Sequence, residues 1–139
     1  MRINLIQLNP IVGNIEKNCD LIISHLEASK GQLCIFPELA LSGYPPEDLL
    51  FHSGIQKRIS NAIDIIKNKT REGVSLILGT PYYEEGKIFN AALYIHNGKI
   101  ESIYKKMSLP NYSVFDEKRY FSEGIEPNFI NHEGVNFAL

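Results

Sequence analysis

The 139-residue sequence has too little cysteine for a disulfide framework: Cys19 and Cys34 are its only two. It has no apolar run approaching the roughly 20 residues of a membrane span. Its opening, Met1-Arg2-Ile3-Asn4-Leu5-Ile6, alternates apolar with polar and does not build a secretory signal. It has no excess of one charge. Fourteen basic residues meet sixteen acidic ones, for a net charge of −2, and no basic stripe stands out. That argues against a nucleic-acid binder held by phosphate contacts. Gly-x-x-x-x-Gly-Lys-Ser/Thr, Gly-x-Gly-x-x-Gly and Gly-x-Ser-x-Gly are all missing, so no phosphate loop, dinucleotide fingerprint or serine nucleophile elbow is expected. The four histidines, His25, His52, His96 and His132, are far apart and show no metal-ligand spacing; they are expected to be surface or satisfied groups. These absences fit a cytoplasmic protein, and no metal, membrane or nucleic acid is expected. What remains is ordinary globular composition, 44% apolar and 22% charged, in a chain the size of one domain.

The pattern begins as α/β. Residues 2–8 predict a strand buried on both faces. Asn9-Pro10 and Gly13 break it, and Asn14 is a helix N-cap. Ile15, Cys19, Ile22, Ile23 and Leu26 recur at helical spacing up to Lys30-Gly31. A short buried strand follows over 32–36, ended by Pro37. After a loop rich in Gly and Pro, Ser53 with Gln56 gives a capping-box signal. Ile55, Ile59, Ala62, Ile63 and Ile66 form the stripe behind it, and Gly73 stands where a helix stops. Residues 74–79 predict a third buried strand. Then the pattern turns antiparallel: Glu85-Gly86 and Asn97-Gly98 are hairpin dipeptides, with strands over 88–96 and 99–104. A long irregular loop is expected over 105–124. A last hairpin turns at His132-Glu133-Gly134, with an apolar, buried second arm over 135–139.

Two segments carry chemistry. Glu38, in Phe36-Pro37-Glu38-Leu39-Ala40-Leu41-Ser42-Gly43-Tyr44, stands at the carboxyl end of a buried strand, where α/β folds place ligands. The second segment, Tyr104 to Phe121, mixes charge with aromatics in a long loop, a combination that is usually functional. The cysteines do not join them: Cys19 lies on a helix stripe and Cys34 inside a strand, both packing positions.

Together these strings resemble the nitrilase (carbon–nitrogen hydrolase) superfamily. Phe36-Pro37-Glu38 with Leu41-Ser42-Gly43-Tyr44 matches its glutamate motif. Pro45-Pro46-Glu47-Asp48-Leu49-Leu50 and Leu109-Pro110-Asn111-Tyr112-x-Val114-Phe115-Asp116-Glu117-x-Arg119-Tyr120-Phe121 resemble the branch of glutamine amidase domains found in glutamine-dependent NAD synthetases. The resemblance covers essentially the whole chain but about the first half of such a domain. It implies an α-β-β-α sandwich, here incomplete, and residues 1–139 as one partial amidase domain. It implies a cysteine nucleophile, a glutamate base and a lysine that stabilises an oxyanion. Matched motif by motif, Glu38 is the base and Lys106 the lysine, with Lys105 one place out of register. Glu117 matches an acid that helps hold lysine and substrate, and Tyr44 and Tyr112 match positions near the glutamine pocket. The nucleophile is expected just past Leu139, so the chain as given is expected to be inactive alone. This domain needs no cofactor; ATP and magnesium belong to a synthetase domain outside these residues. Glutamine is the expected substrate, and a homo-oligomer the expected assembly. Half a sandwich would also leave apolar sheet surface open, which favours self-association. Alternatives are another amidase or carbamoylase of the superfamily, which lacks the two branch-specific strings, or a non-catalytic truncated homologue acting as an interaction module.

Overall fold

A computed structural model describes residues 1–139. Two βα units come first. Strand β1 (Ile3–Leu5) leads into helix α1 (Ile15–Glu27), strand β2 (Leu33–Ile35) into helix α2 (Ser53–Thr70), and strand β3 (Ser75–Glu84) follows. These three strands are parallel neighbours. Strand β4 (Lys87–His96) folds back on β3 at Glu85-Gly86, and β5 (Lys99–Lys105) folds back on β4 at Asn97-Gly98. Each turn pairs a non-glycine and a glycine at positive φ, which matches the twist of an antiparallel ribbon. The result is one five-stranded sheet in the order β1-β2-β3-β4-β5. Strands β6 (Phe129–His132) and β7 (Val135–Ala138) form a separate hairpin.

Both helices cover the same face of the sheet. Ile15, Cys19, Ile22 and Leu26 of α1 and Ile55, Ile59, Ala62, Ile63 and Ile66 of α2 pack on Cys34, Leu76, Leu78, Leu93 and Ile95. The i, i+3, i+4 spacing of the helices meets the period-2 spacing of the strands in one core. Asn14 caps α1, its side chain accepting from the Lys17 N–H at 3.3 Å. Gly73, at φ +86°, turns the chain out of α2 two residues past the cap.

The opposite face is covered less. Leu33, Ile77 and Tyr94 meet Ile130 of the last hairpin, with Phe137 and Leu139 packed around them. The hydroxyl of Tyr94 lies 2.8 Å from His132 Nδ1, and Ser75 Oγ lies 2.7 Å from His96 Nδ1. His132 is thus a buried, satisfied histidine.

Four expectations change. The first strand is shorter than residues 2–8 and is not buried on both faces: Ile6 is buried, but Ile3 is 42% and Leu5 76% exposed, because no element covers that end of the second face. The Ser53 capping box does not form. A 3-10 turn over Glu47–Phe51 runs straight into α2, whose cap residue is His52, and backbone bonds such as Ile55 N–H to His52 C=O start the helix. The third strand extends past Gly79 to Glu84, because the hairpin partner β4 pairs with it along its length. The last arm is not buried: Val135, Asn136 and Ala138 are exposed and Phe137 and Leu139 are half-buried, because just one face of the hairpin meets the sheet.

Candidate active site

The chain delivers five polar groups to one end of the less covered face. Glu38 follows β2 on a loop that lies directly over Gly79 of β3. A Cβ on Gly79 would sit 2.3 Å from the Pro37 carbonyl oxygen and 2.8 Å from the Glu38 Cα, so only glycine lets the loop come down onto the strand. Gly43 plays the same part at the other end of that loop. It has φ +75°, and a Cβ there would meet the Val12 backbone at 2.7 Å. Buried Asn18 ties the two chain segments together, donating to the Ile11 and Leu41 carbonyls and accepting from the Ile11 N–H.

Lys106 follows the last residue of β5. Strand parity decides which of two adjacent lysines reaches the site. Lys105 stands opposite Ala91, which faces the helices, and its ammonium pairs with Glu84 and lies 4.5 Å above the Phe89 ring. Lys106 is one residue on and points to the opposite face. Its Nζ lies 2.7 Å from Glu38 Oε1 and 3.2 Å from Glu117 Oε2. Backbone bonds on both sides hold it: its N–H donates to the Asn90 carbonyl at 2.8 Å, and its carbonyl accepts from the Gly124 N–H at 2.9 Å.

Glu117 opens a short 3-10 turn over Glu117–Arg119. Its side chain is 5% exposed, against 49% for Glu38, so the two carboxylates on one ammonium differ sharply in access to water. Glu117 also accepts from the Tyr44 hydroxyl at 3.1 Å. Burial raises the Tyr44 pKa, and the neighbouring Glu117 charge and hydrogen bond add to this, reaching about 12, so Tyr44 is a neutral donor at any working pH. Burial works against the charge on Lys106, but its hydrogen bonds to Glu38 and Glu117 outweigh that and hold its pKa above the usual lysine value. Lys106 is therefore a permanent cation, able to steady developing negative charge but not to shuttle protons near neutrality.

Of the sequence-derived residues, Glu38, Lys106, Glu117 and Tyr44 come together. Tyr112 does not join them: it is 69% exposed and its ring packs on Phe115 at 5.6 Å. The aromatic loop serves as a wall. Phe115, Tyr120 and Phe121 line a cavity of about 330 Å³ with Tyr44 and Glu117. A second hollow of about 350 Å³ is lined by Phe36, Glu38, Ile77, Asn90, Tyr104 and Lys106, and this one reaches both the base candidate and the ammonium. The residue that sequence reasoning passed over is Asn90, buried in β4, whose Nδ2 lies 2.6 Å from Glu38 Oε1 and 3.4 Å from Glu117 Oε2. Its signal was a lone amide within the apolar strand Ile88-Phe89-Asn90-Ala91-Ala92-Leu93. The thiols lie elsewhere: both cysteines are buried, and burial pushes the Cys19 thiol up to about 11 and Cys34 upward as well, which suits packing and not attack.

The carbon–nitrogen hydrolase family pattern matches residues 2–136. The chain belongs to that family. Among its relatives is a glutamine-dependent NAD(+) synthetase of Aquifex aeolicus, 44% identical over all of this chain but only 25% of that protein. A synthetase of the same name from Xanthomonas campestris is 41% identical over 94% of this chain and 24% of its own length. The chain thus spans about a quarter of the curated relatives it matches. In three dimensions it resembles a glutamine-dependent NAD+ synthetase of Acinetobacter baumannii, with a TM-score of 0.87, 33% identity, and 98% of this chain against 26% of the other. It also overlays an amidase from Nesterenkonia sp. with a TM-score of 0.85 at 23% identity, covering 99% of this chain and 54% of that one, a likeness of fold. The mixed α/β architecture is that of the nitrilase superfamily.

Proposed function

We propose that this chain is the part of a glutamine amidase that carries its base and its oxyanion-stabilising lysine, within a glutamine-dependent NAD synthetase. The observation that carries the proposal is the Lys106 ammonium held 2.7 Å from half-exposed Glu38, beside a hollow that both groups line. Glu38 takes the proton from a cysteine thiol supplied by chain outside these residues. The thiolate attacks the side-chain amide carbon of glutamine, and Lys106 steadies the oxyanion that forms. Glu38 returns the proton to the amide nitrogen as the C–N bond breaks, which releases ammonia and leaves a thioester. Water then attacks the thioester, with Glu38 again as base, and yields glutamate and the free thiol. Glu117, buried and hydrogen-bonded by Tyr44, holds Lys106 from behind.

The proposed enzyme is cytoplasmic and passes its ammonia to a synthetase domain that amidates an adenylated nicotinic acid dinucleotide. ATP and magnesium would serve that domain. Toward the metal, these residues offer no group of three or more His, Cys, Asp or Glu arranged to hold it, and no step here runs through one. A homo-oligomer belongs to the same proposal, supported by the exposed Ile3 and Leu5. The test is ammonia release from glutamine by the full-length gene product, by its Glu38→Gln variant and by residues 1–139 alone. Glu38→Gln is expected to lose about a thousandfold or more of the rate, and residues 1–139 to stay at the blank. Undiminished activity of Glu38→Gln would remove Glu38 from the mechanism. Ammonia release by residues 1–139 that Glu38→Ala abolishes would show that no outside thiol is needed.

A further inference from the structure

We infer that Asn90 is a positioning residue that fixes the Glu38 carboxylate against Lys106 and leaves one defined carboxylate oxygen free to act as the base. The inference rests on the amide hydrolysis proposed above. Asn90 sits in the middle strand of the antiparallel half of the sheet, opposite Pro81 on β3, on a backbone held by pairing to both neighbours. Its side chain is buried and its Nδ2 faces two carboxylates, Glu38 Oε1 at 2.6 Å and Glu117 Oε2 at 3.4 Å. Only the NH2 end of the amide can face them, because the carbonyl end would bring a third acceptor to two acids.

Three consequences follow from the geometry. Glu38 Oε1 receives both Lys106 Nζ, at 2.7 Å, and Asn90 Nδ2, at 2.6 Å, whereas Oε2 receives no protein donor. The proton therefore goes to Oε2, on the side of Glu38 that remains open. Second, the Asn90 carbonyl accepts the Lys106 N–H at 2.8 Å. One strand residue thus grips the lysine by its backbone and the glutamate by its side chain, and sets the distance between them. Third, an amide adds donors without adding charge. Two carboxylates and one ammonium leave the cluster with a formal charge of −1. A second cation in place of Asn90 would cancel that charge and weaken Glu38 as a base.

The test uses the full-length gene product with its own thiol. Asn90→Ser removes the donor to Glu38, and Asn90→Asp keeps the shape but replaces the donor with another acceptor. Asn90→Ser is expected to lower kcat by about 100-fold, with KM changed by less than about threefold. The acidic limb of kcat/KM is expected to move to higher pH, because losing a hydrogen bond to a carboxylate favours its protonated form. Asn90→Asp should move that limb further in the same direction. A kcat loss with an unmoved acidic limb would mean a merely structural role and would overturn the inference, as would an unchanged kcat. Should Asn90→Ser fail to fold, the isosteric Asn90→Asp decides alone by the same limb. If wild type releases no ammonia, or Glu38→Gln keeps the wild-type rate, the proposed function and this inference fall together. An inactive Glu38→Gln beside a wild-type-like Asn90→Ser would overturn the Asn90 inference alone.

Discussion

On one face of the five-stranded sheet, Cys34, Leu76, Leu78 and Leu93 disappear beneath two helices. On the other, Leu33, Ile77 and Tyr94 are covered by a two-stranded hairpin, and Ile3 and Leu5 meet solvent. Asn90 lies on this second face, as Tyr94 does four residues further along the same strand, and Lys106 reaches it for the same reason. The division of labour is physical. A face sealed by helices excludes water and is rigid, so it holds the strands in register. A face left partly open lets charged groups keep some hydration while the strands beneath hold their spacing. Side chains that must meet a substrate belong on the second kind.

The sharpest test of that contrast is a pair of truncations. Leu78, fully buried beneath the helices, should cost about 3 kcal/mol of stability when changed to alanine, through lost burial and an unfilled cavity. Leu5, 76% exposed, should cost less than about 0.5 kcal/mol when changed to alanine. Urea unfolding followed by circular dichroism measures both. Equal losses would mean that the second face is sealed in solution by a further copy or by another element, and the comparison would break.

The helix face also sets the response to alkali. Burial raises the Cys19 thiol from 9.0 to about 11. Below pH 9 the thiol is neutral in folded and unfolded chains alike, and its contribution to stability is complete. Between pH 9 and about 11 the unfolded chain ionises and the folded chain does not, so stability drains away by about 2 kcal/mol. Cys19→Ala should remove that part of the alkaline loss. What remains should come from Cys34, whose thiol burial also raises, and from near pH 10 onward from Tyr44 and Tyr83, raised to about 12 with burial as the leading cause. An unchanged slope between pH 9 and 10 in Cys19→Ala would show that the thiol is not the responsible group.

The helix face was legible in the sequence because its signals are local. Periodicity placed Ile15, Cys19, Ile22 and Leu26 on one stripe, and the hairpin dipeptides fixed the turns before β4 and β5. Glu38, Lys106 and Glu117 were legible through motif strings, and strand parity explains why Lys106 and not Lys105 reaches the cluster. Asn90 escaped because one amide in a strand has no spacing to betray it; its partners come from loops 52 and 27 residues away. The exposure of Ile3 and Leu5 escaped for the converse reason. Alternation says that both faces of a strand are apolar, but not whether anything covers the second. The failed Ser53 cap is similar: the box pattern was present, yet the preceding 3-10 turn had already set the helix start at His52.

The most local predicted effect belongs to the hairpin that partly closes the second face. His132 is buried there, 2.8 Å from the Tyr94 hydroxyl, with the His96 ring edge-on at 5.9 Å. Burial holds its pKa below the usual histidine value. The charge of Glu133 opposes that, and the positive charges of His96 and the terminal ammonium reinforce it. A depressed pKa means that the histidine's contribution is complete above the unfolded value near 6.5 and is lost as pH falls through the folded value. Acid should therefore loosen the hairpin from the sheet while the helix face, whose titrating thiol responds only to alkali, stays packed. Amide exchange read between pH 7 and pH 5, corrected for the intrinsic pH dependence of exchange, should show Ile130 and Asn131 losing protection before Leu76 and Leu93 do. His132→Asn, which keeps a neutral hydrogen-bonding group, should abolish that pH dependence with a cost at pH 7 of about 1 kcal/mol. A hairpin that loosens in acid equally well without His132 would show that this histidine is not the responsible group.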